Sequence, residues 1–219
     1  MTSPDEVAQA LSGRILAAPC AGRRKLVALA GSPASGKTTL ARVLADQLSQ
    51  AGCATSVVPM DGFHLDNRIL SDLGLLHRKG APETFDADGV LRLVRALAHA
   101  DRVFYPTFDR DEDFSRAGSG QIDANCACVV VEGNYLQYDA PVWRELHPLW
   151  DLSIRLEVGS ETLKRRLVQR WIDFGLPVDQ AERRAMANDM VNATLIADHA
   201  LPATITIQEP VSASDPLPR

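Results

Sequence analysis

The chain has 219 residues, 46% of them hydrophobic and 23% charged, so it can bury the core of one sizeable domain and is not a disordered polymer. The formal net charge of −5 argues against a nucleic-acid binder with a wholly basic surface, leaving room only for a local basic site. The four cysteines show neither Cys-x-x-Cys spacing nor His neighbours, which predicts buried free thiols rather than a disulfide framework.

The first sixteen residues carry Asp5 and Glu6, with no basic start ahead of an apolar run. That predicts no export signal and a cytoplasmic protein. No apolar stretch approaches the roughly 18 residues of a membrane span, so no insertion into a bilayer is expected. Val7, Leu11 and Ile15 recur every four residues, which predicts an amphipathic helix ending at Pro19. Residues 25–30 form an apolar run that suits a buried strand. Leu40, Val43, Leu44 and Leu48 then mark one face of a helix over 37–50, with Gly52 just past its end. Residues 55–58, closed by Pro59, read as a second strand, and 65–76 as a helix followed by a loop. Asp86 can cap a helix carrying Val90, Leu93, Val94 and Leu97 and ending near Ala100. Residues 103–105 are a short strand candidate, and the polar, Gly/Ser-rich stretch 109–120 reads as a loop. The clearest buried strand is 128–131, and 141–146 reads as one or two helical turns. Residues 152–156 alternate as a strand; Ser160 then caps a helix with Leu163, Leu167 and Trp171 on one stripe, ended by Gly175. Another helix covers 179–198, and 204–207 form the last strand. Strands alternating with helices call for an α/β chain with a parallel sheet covered on both faces. We expect one domain over 1–208 and a flexible, Pro-rich tail over 209–219.

Gly31-Ser32-Pro33-Ala34-Ser35-Gly36-Lys37-Thr38 fits G-x-x-x-x-G-K-[ST] between a strand and a helix, with Thr39 following. Such a loop turns successive N–H groups into one concavity that cradles phosphate oxygens, and the helix N-terminus adds its positive dipole end. Lys37 supplies a point charge to the β- and γ-phosphates, and the Thr38 hydroxyl can ligate Mg²⁺. Glu132 ends the strand 128–131 at the edge where ligands bind, and can hold the Mg²⁺ shell or merely cap a turn. Asp61 lies just past the second strand, where it can take the proton of an attacking hydroxyl or simply form an Asp-Gly turn.

These motifs, with Arg78-Lys79-Gly80, 82–86 and Val131-Glu132-Gly133-Asn134, resemble the phosphoribulokinase/uridine kinase family of P-loop kinases. The segment 78–86 is similar to type I bacterial pantothenate kinase, and the whole chain to a bacterial nucleoside/nucleotide kinase subgroup. The resemblance covers about residues 7–207 and also takes in Asn188-Asp189-x-x-Asn192. It implies a three-layer sandwich around a five-stranded parallel sheet of order 2-3-1-4-5, with a helical lid around 163–180. It also implies that Asp61 is the catalytic acid/base and that lid arginines reach the transferred phosphate. Arg166 and Arg170, four residues apart on one helix face, can independently stabilise charge on a transferring phosphoryl group or belong to a solvated face. The chain departs from uridine kinases, which have D-S-F-Y where it has Asp61-Gly-Phe-His64, and is shorter than pantothenate kinases. Neither substrate therefore carries over.

His64, Arg78, Lys79, Tyr105, Asp109 and Arg110 are candidate acceptor contacts, the last two for vicinal hydroxyls. The expected activity is ATP- and Mg²⁺-dependent phosphorylation of a small polyol, a nucleoside or a sugar such as fructose. The alternatives are a pantothenate-like acceptor and a regulatory ATPase acting on a partner such as a transporter. No nucleic-acid partner is expected, and the oligomeric state is open between monomer and homodimer.

Overall fold

A computed structural model describes residues 3–208, so the expected tail over 209–219 lies outside the described residues. Five strands form a parallel sheet: β1 (Lys25–Gly31), β2 (Thr55–Pro59), β5 (Cys128–Gly133), β6 (Leu152–Glu157) and β7 (Ile205–Gln208). The order is β2-β5-β1-β6-β7, which is 2-3-1-4-5 when these five alone are counted. Successive side chains of a strand point to opposite faces, and both faces of this sheet are apolar. Val27, Leu29, Cys128 and Val130 pack against α1 (Pro4–Ala17) and α2 (Lys37–Gln50). Leu26, Ala28, Ala30, Val129 and Val131 pack against α4 (Ala87–His99), whose Val90, Leu93, Val94 and Leu97 form the stripe read from the sequence. Asp86 caps α4, accepting from the Gly89 N–H at 2.8 Å.

Helix α3 (Asn67–Asp72) is short and capped by Asp66. Helices α5 (Ser160–Asp173), α6 (Val178–Arg184) and α7 (Met190–Asp198) build a separate cluster around Leu163, Leu167, Ala185 and Ala193. Two expectations there need correction. Gly159, not Ser160, is the N-cap of α5, and no side chain caps it. The helix expected over 179–198 is interrupted by a π turn at Ala185–Asp189.

The larger correction concerns 109–120. Residues Phe114–Ile122 form β4, paired antiparallel with β3 (Val103–Asp109) in a two-stranded hairpin outside the main sheet. Most of β4 is wet on both faces, so no alternation of apolar and polar residues marks it. The hairpin sits on the 3₁₀ turn Met60–Phe63 that follows β2. A Cβ on Gly62 would collide with the Pro106 carbonyl, so only glycine allows this approach.

Candidate active site

The phosphate loop spans the turn from β1 into α2. Gly36 adopts a left-handed conformation (φ +89°) at the N-cap of α2, and Ala34 is also left-handed (φ +61°), a strained state for alanine. A Cβ on Gly31 would come within 2.6 Å of Ser35 Oγ, so the loop closes tightly on its first glycine. Ser35 Oγ is buried with no hydrogen-bond partner among the described residues. A buried hydroxyl left without a partner costs free energy, and a phosphate oxygen in the loop would satisfy it.

Lys37 is only 9% exposed. Burial pushes its amine below the ordinary range, against the opposing charges of Glu132 and Asp61. Glu132, 3% exposed, accepts a 3.0 Å hydrogen bond from Thr38 Oγ1. Burial raises its carboxyl, while Lys37 pulls the other way. The two oxygen ligands expected for Mg²⁺ are therefore already in contact between the start of α2 and the end of β5, a hard-donor pair that fits such an ion. Among the described residues no cluster of three or more His, Cys, Asp or Glu could hold a metal ion.

Asp61 reaches the same edge because β2 pairs with β5, with Pro59 in register with Glu132. Its side chain is 20% exposed and receives Arg110 Nη2 at 2.7 Å. Burial alone would raise the Asp61 carboxyl, but His64, Lys37, Arg110 and Arg170 together hold it below the usual carboxylate range. Arg170 is half-buried on α5, its guanidinium over the rings of Trp171 (5.9 Å) and Phe174 (5.7 Å). Burial and the nearby Arg110 charge lower its pKa, against Asp189 and Asp61. Arg166 extends toward the phosphate loop, 3.4 Å from the Ala34 carbonyl.

Lys37, Thr38, Glu132, Asp61, Arg110 and Arg170 thus share one cleft. The other candidates are placed differently. His64 holds its ring against Phe85 and Phe108, with Nδ1 2.8 Å from the Asp61 carbonyl, where a proton on that nitrogen donates. Burial pushes its pKa down, against Asp61. Its contacts support the Asp61 turn. Arg78 donates to Asn188 Oδ1 (2.6 Å) and Asn192 Oδ1 (3.2 Å), and Asn188 Nδ2 donates back to the Lys79 carbonyl (2.9 Å). These asparagines flank Asp189, which accepts from Trp171 Nε1 at 2.6 Å, so the Asn188-Asp189-x-x-Asn192 element ties α5 and α7 to the 78–80 segment. The signal for it in the sequence is two amides four residues apart on one helical face. Lys79 is tied to Asn67 and Asp113 rather than left open to a ligand.

Tyr105 and Asp109 depart furthest from expectation. Tyr105 is buried in the core beneath the hairpin, its hydroxyl donating to the Val57 carbonyl at 3.3 Å, so it packs the hairpin down and walls no acceptor pocket. Asp109 accepts from the backbone of Asp111 and Glu112 and from Arg116 at 2.8 Å, which uses its carboxylate within the hairpin turn. Neither offers a free group to vicinal hydroxyls.

A profile of the Phosphoribulokinase / Uridine kinase family matches residues 26–173. The solved structure of a provisionally named fructose transport system kinase from Silicibacter sp. TM1040 is 50% identical, superimposes with a TM-score of 0.88, and covers 94% of this chain and 100% of its own. A provisionally named uridine kinase, C227.14, from Schizosaccharomyces pombe is 31% identical over 202 residues, covering 85% of this chain and 84% of its own length. The phosphoribulokinase of Rhodobacter spheroides, at 14% identity and a TM-score of 0.61, shares the fold. The chain belongs to the phosphoribulokinase/uridine kinase family and is an ATP-dependent P-loop kinase.

Proposed function

We propose that this kinase moves the γ-phosphoryl group of ATP to a hydroxyl of a small polyol, a sugar or a nucleoside, with Asp61 as the base. The observation that carries this reading is the position of Asp61. It follows β2, whose last residue Pro59 is in register with Glu132, and it lies near the charges of Lys37, Arg110 and Arg170. In this reading the loop 31–39 grips the phosphates and Lys37 neutralises charge on the β- and γ-oxygens. Asp61, kept ionised by its cationic ring, accepts the hydroxyl proton as the oxygen bonds to the γ-phosphorus and the bond to ADP breaks. Arg170 and Arg166, on a helix that closes as part of a lid over about 163–180, stabilise the negative charge spread over the transferring group. Thr38 and Glu132 would hold Mg²⁺, which supplies Lewis-acid neutralisation of the phosphates when bound. The polyol class is supported by relatives named for fructose transport and for uridine. Free thiols at Cys20, Cys53, Cys126 and Cys128 fit a reducing, ATP-rich cytoplasm.

The test is ADP release coupled to a panel of nucleosides, free sugars, sugar acids and pantothenate, run on the native enzyme and Asp61→Asn. An acceptor that stimulates release, with a loss of about 10²-fold or more in Asp61→Asn and ATP affinity retained, is the expected result. Equal acceptor-dependent rates in both forms would take the base role from Asp61. A rate that responds to no acceptor would favour a regulatory ATPase.

A further inference from the structure

The carboxylate that must receive the acceptor's proton is already occupied. Arg110 Nη2 lies 2.7 Å from Asp61 Oδ2, one of the two oxygens with which the carboxylate could take that proton. Arg110 comes from the β3–β4 turn, whose shape is set by other bonds. Asp109 folds the turn by accepting from two of its own N–H groups. Asp113, left-handed at φ +55°, accepts Lys79 Nζ at 2.9 Å and Asn67 Nδ2 at 2.9 Å, and its carbonyl takes Lys79 Nζ at 2.8 Å. Lys79 also donates to Asn67 at 2.7 Å, closing a three-residue strap between the turn, α3 and the 78–80 segment. The turn is held at both ends while Arg110 itself is 48% exposed, against 20% for Asp61. A pair with one partner this wet is weak, so a ligand can displace it.

We infer that Arg110 is a latch on Asp61: with no acceptor bound it covers the carboxylate against water, and an acceptor opens the site by taking both partners over. The inference rests on the reading of Asp61 as the base. It also narrows the acceptor. A hydroxyl that replaces Arg110 on Asp61 leaves a guanidinium fork seeking oxygen, and a second oxygen on the neighbouring carbon supplies it. The reacting hydroxyl is therefore one with an oxygen on the adjacent carbon, as in a vicinal diol or a 2-hydroxy acid.

Without the latch, water can take the acceptor's place. Its oxygen bonds to the γ-phosphorus, its proton passes to Asp61, and the bond to the ADP oxygen breaks. The probe is Mg·ATP alone, with acceptor-free ADP release measured for the native enzyme, Arg110→Ala, Arg110→Gln, Arg110→Lys, Asp61→Asn and the Asp61→Asn/Arg110→Ala double variant. Arg110→Ala and Arg110→Gln are expected to raise release about tenfold, below the ~10²-fold or more of a fully positioned base. Arg110→Lys, which keeps the charge but loses the fork, is expected to raise release less than Arg110→Ala does. In the Asp61→Asn background, Arg110→Ala is expected to change nothing. An unchanged or lower rate in both Arg110→Ala and Arg110→Gln, with native melting, overturns the latch, as does an equal rise in the Asp61→Asn background. Failure of the kinase reading would show elsewhere, as a native enzyme that no acceptor stimulates.

Discussion

Lys37 illustrates how a single residue is set up for charge rather than packing. Its amine is buried between two carboxylates, and burial lowers its pKa while Glu132 and Asp61 oppose that shift. An isolated buried ammonium would be costly, and the negative groups near it, to which ATP adds phosphates, offset part of that cost. Lys37→Ala removes the cation and leaves Glu132 and Asp61 facing each other. We expect a loss of about 10²–10³-fold in kcat/KM, the share of one preorganised donor, with the fold retained. Turnover within a few-fold of native would show that the phosphates are neutralised elsewhere.

Two elements outside the main sheet carry side chains into the site, helix α5 and the hairpin. Arg170 rests on the aromatic rings of Trp171 and Phe174 and faces Asp61 and Asp189, so its ground-state partners are already present. Arg170→Ala should lower kcat more than it raises the KM for ATP, because the contact with the transferring group forms in the transition state. A change confined to KM would make it a ground-state binder. For the hairpin, Gly62→Ala forces a methyl group onto the Pro106 carbonyl and lifts β3 from the turn that carries Asp61. We expect a stability loss of about 1–3 kcal/mol by denaturant titration, and an acceptor-dependent rate that falls more than ATP affinity does. Equal losses in both would mean that the hairpin serves the fold and not the acceptor. The hairpin is also where the sequence was least legible. The P-loop, the buried strands and the α4 stripe announce themselves through glycine spacing and apolar periodicity. Strand β4, by contrast, is exposed along most of its length, and the polar, glycine-bearing run 114–120 looks like a loop. Tyr105 looked like a pocket wall because its strand was visible while the partner strand, which buries it, was not. The Asp61–Arg110 pair spans 49 residues and depends on that unseen hairpin, so no local spacing could show it.

At the scale of the whole molecule, the end of the sheet opposite the site is closed by one residue that no motif marks. Arg24 precedes β1 and is fully buried, at 0% exposure. Among the described residues its hydrogen bonds go to carbonyls and not to carboxylates. Nη1 donates to the Leu97 carbonyl at 2.9 Å and Nη2 to those of Ala100 (2.9 Å), Asp101 (3.2 Å) and Asp123 (3.4 Å), while Nε donates to Cys126 at 3.4 Å. The first three carbonyls belong to the C-terminal end of α4 and the residues just beyond it, where the helix dipole is negative and carbonyls lack partners within the helix. The other two lie in the approach to β5. The planar fork of the guanidinium joins α4, β1 and β5 in one corner, a geometry that a lysine's single ammonium cannot reproduce. Next to it the Arg23 N–H donates to the Ala98 carbonyl at 2.7 Å, and a Cβ on Gly22 would meet that same carbonyl, so the backbone is pressed against the helix end. Arg24→Met keeps most of the side-chain volume but leaves several buried carbonyls without donors. At about 1–3 kcal/mol for an unsatisfied buried group, partly relieved by entering water, the net loss should be about 3 kcal/mol. For a chain of this size that is on the order of 10 °C in Tm. Arg24→Lys should recover part of it. Because the corner lies at the N-terminal edge of the strands and the phosphate loop at the other, kcat at 25 °C should stay within a few-fold of native while the melting point falls. A melting point unchanged in Arg24→Met would mean that water satisfies the corner as well as the guanidinium does. A large loss of kcat with only a small shift in Tm would mean that the clamp sets the strand register at the site.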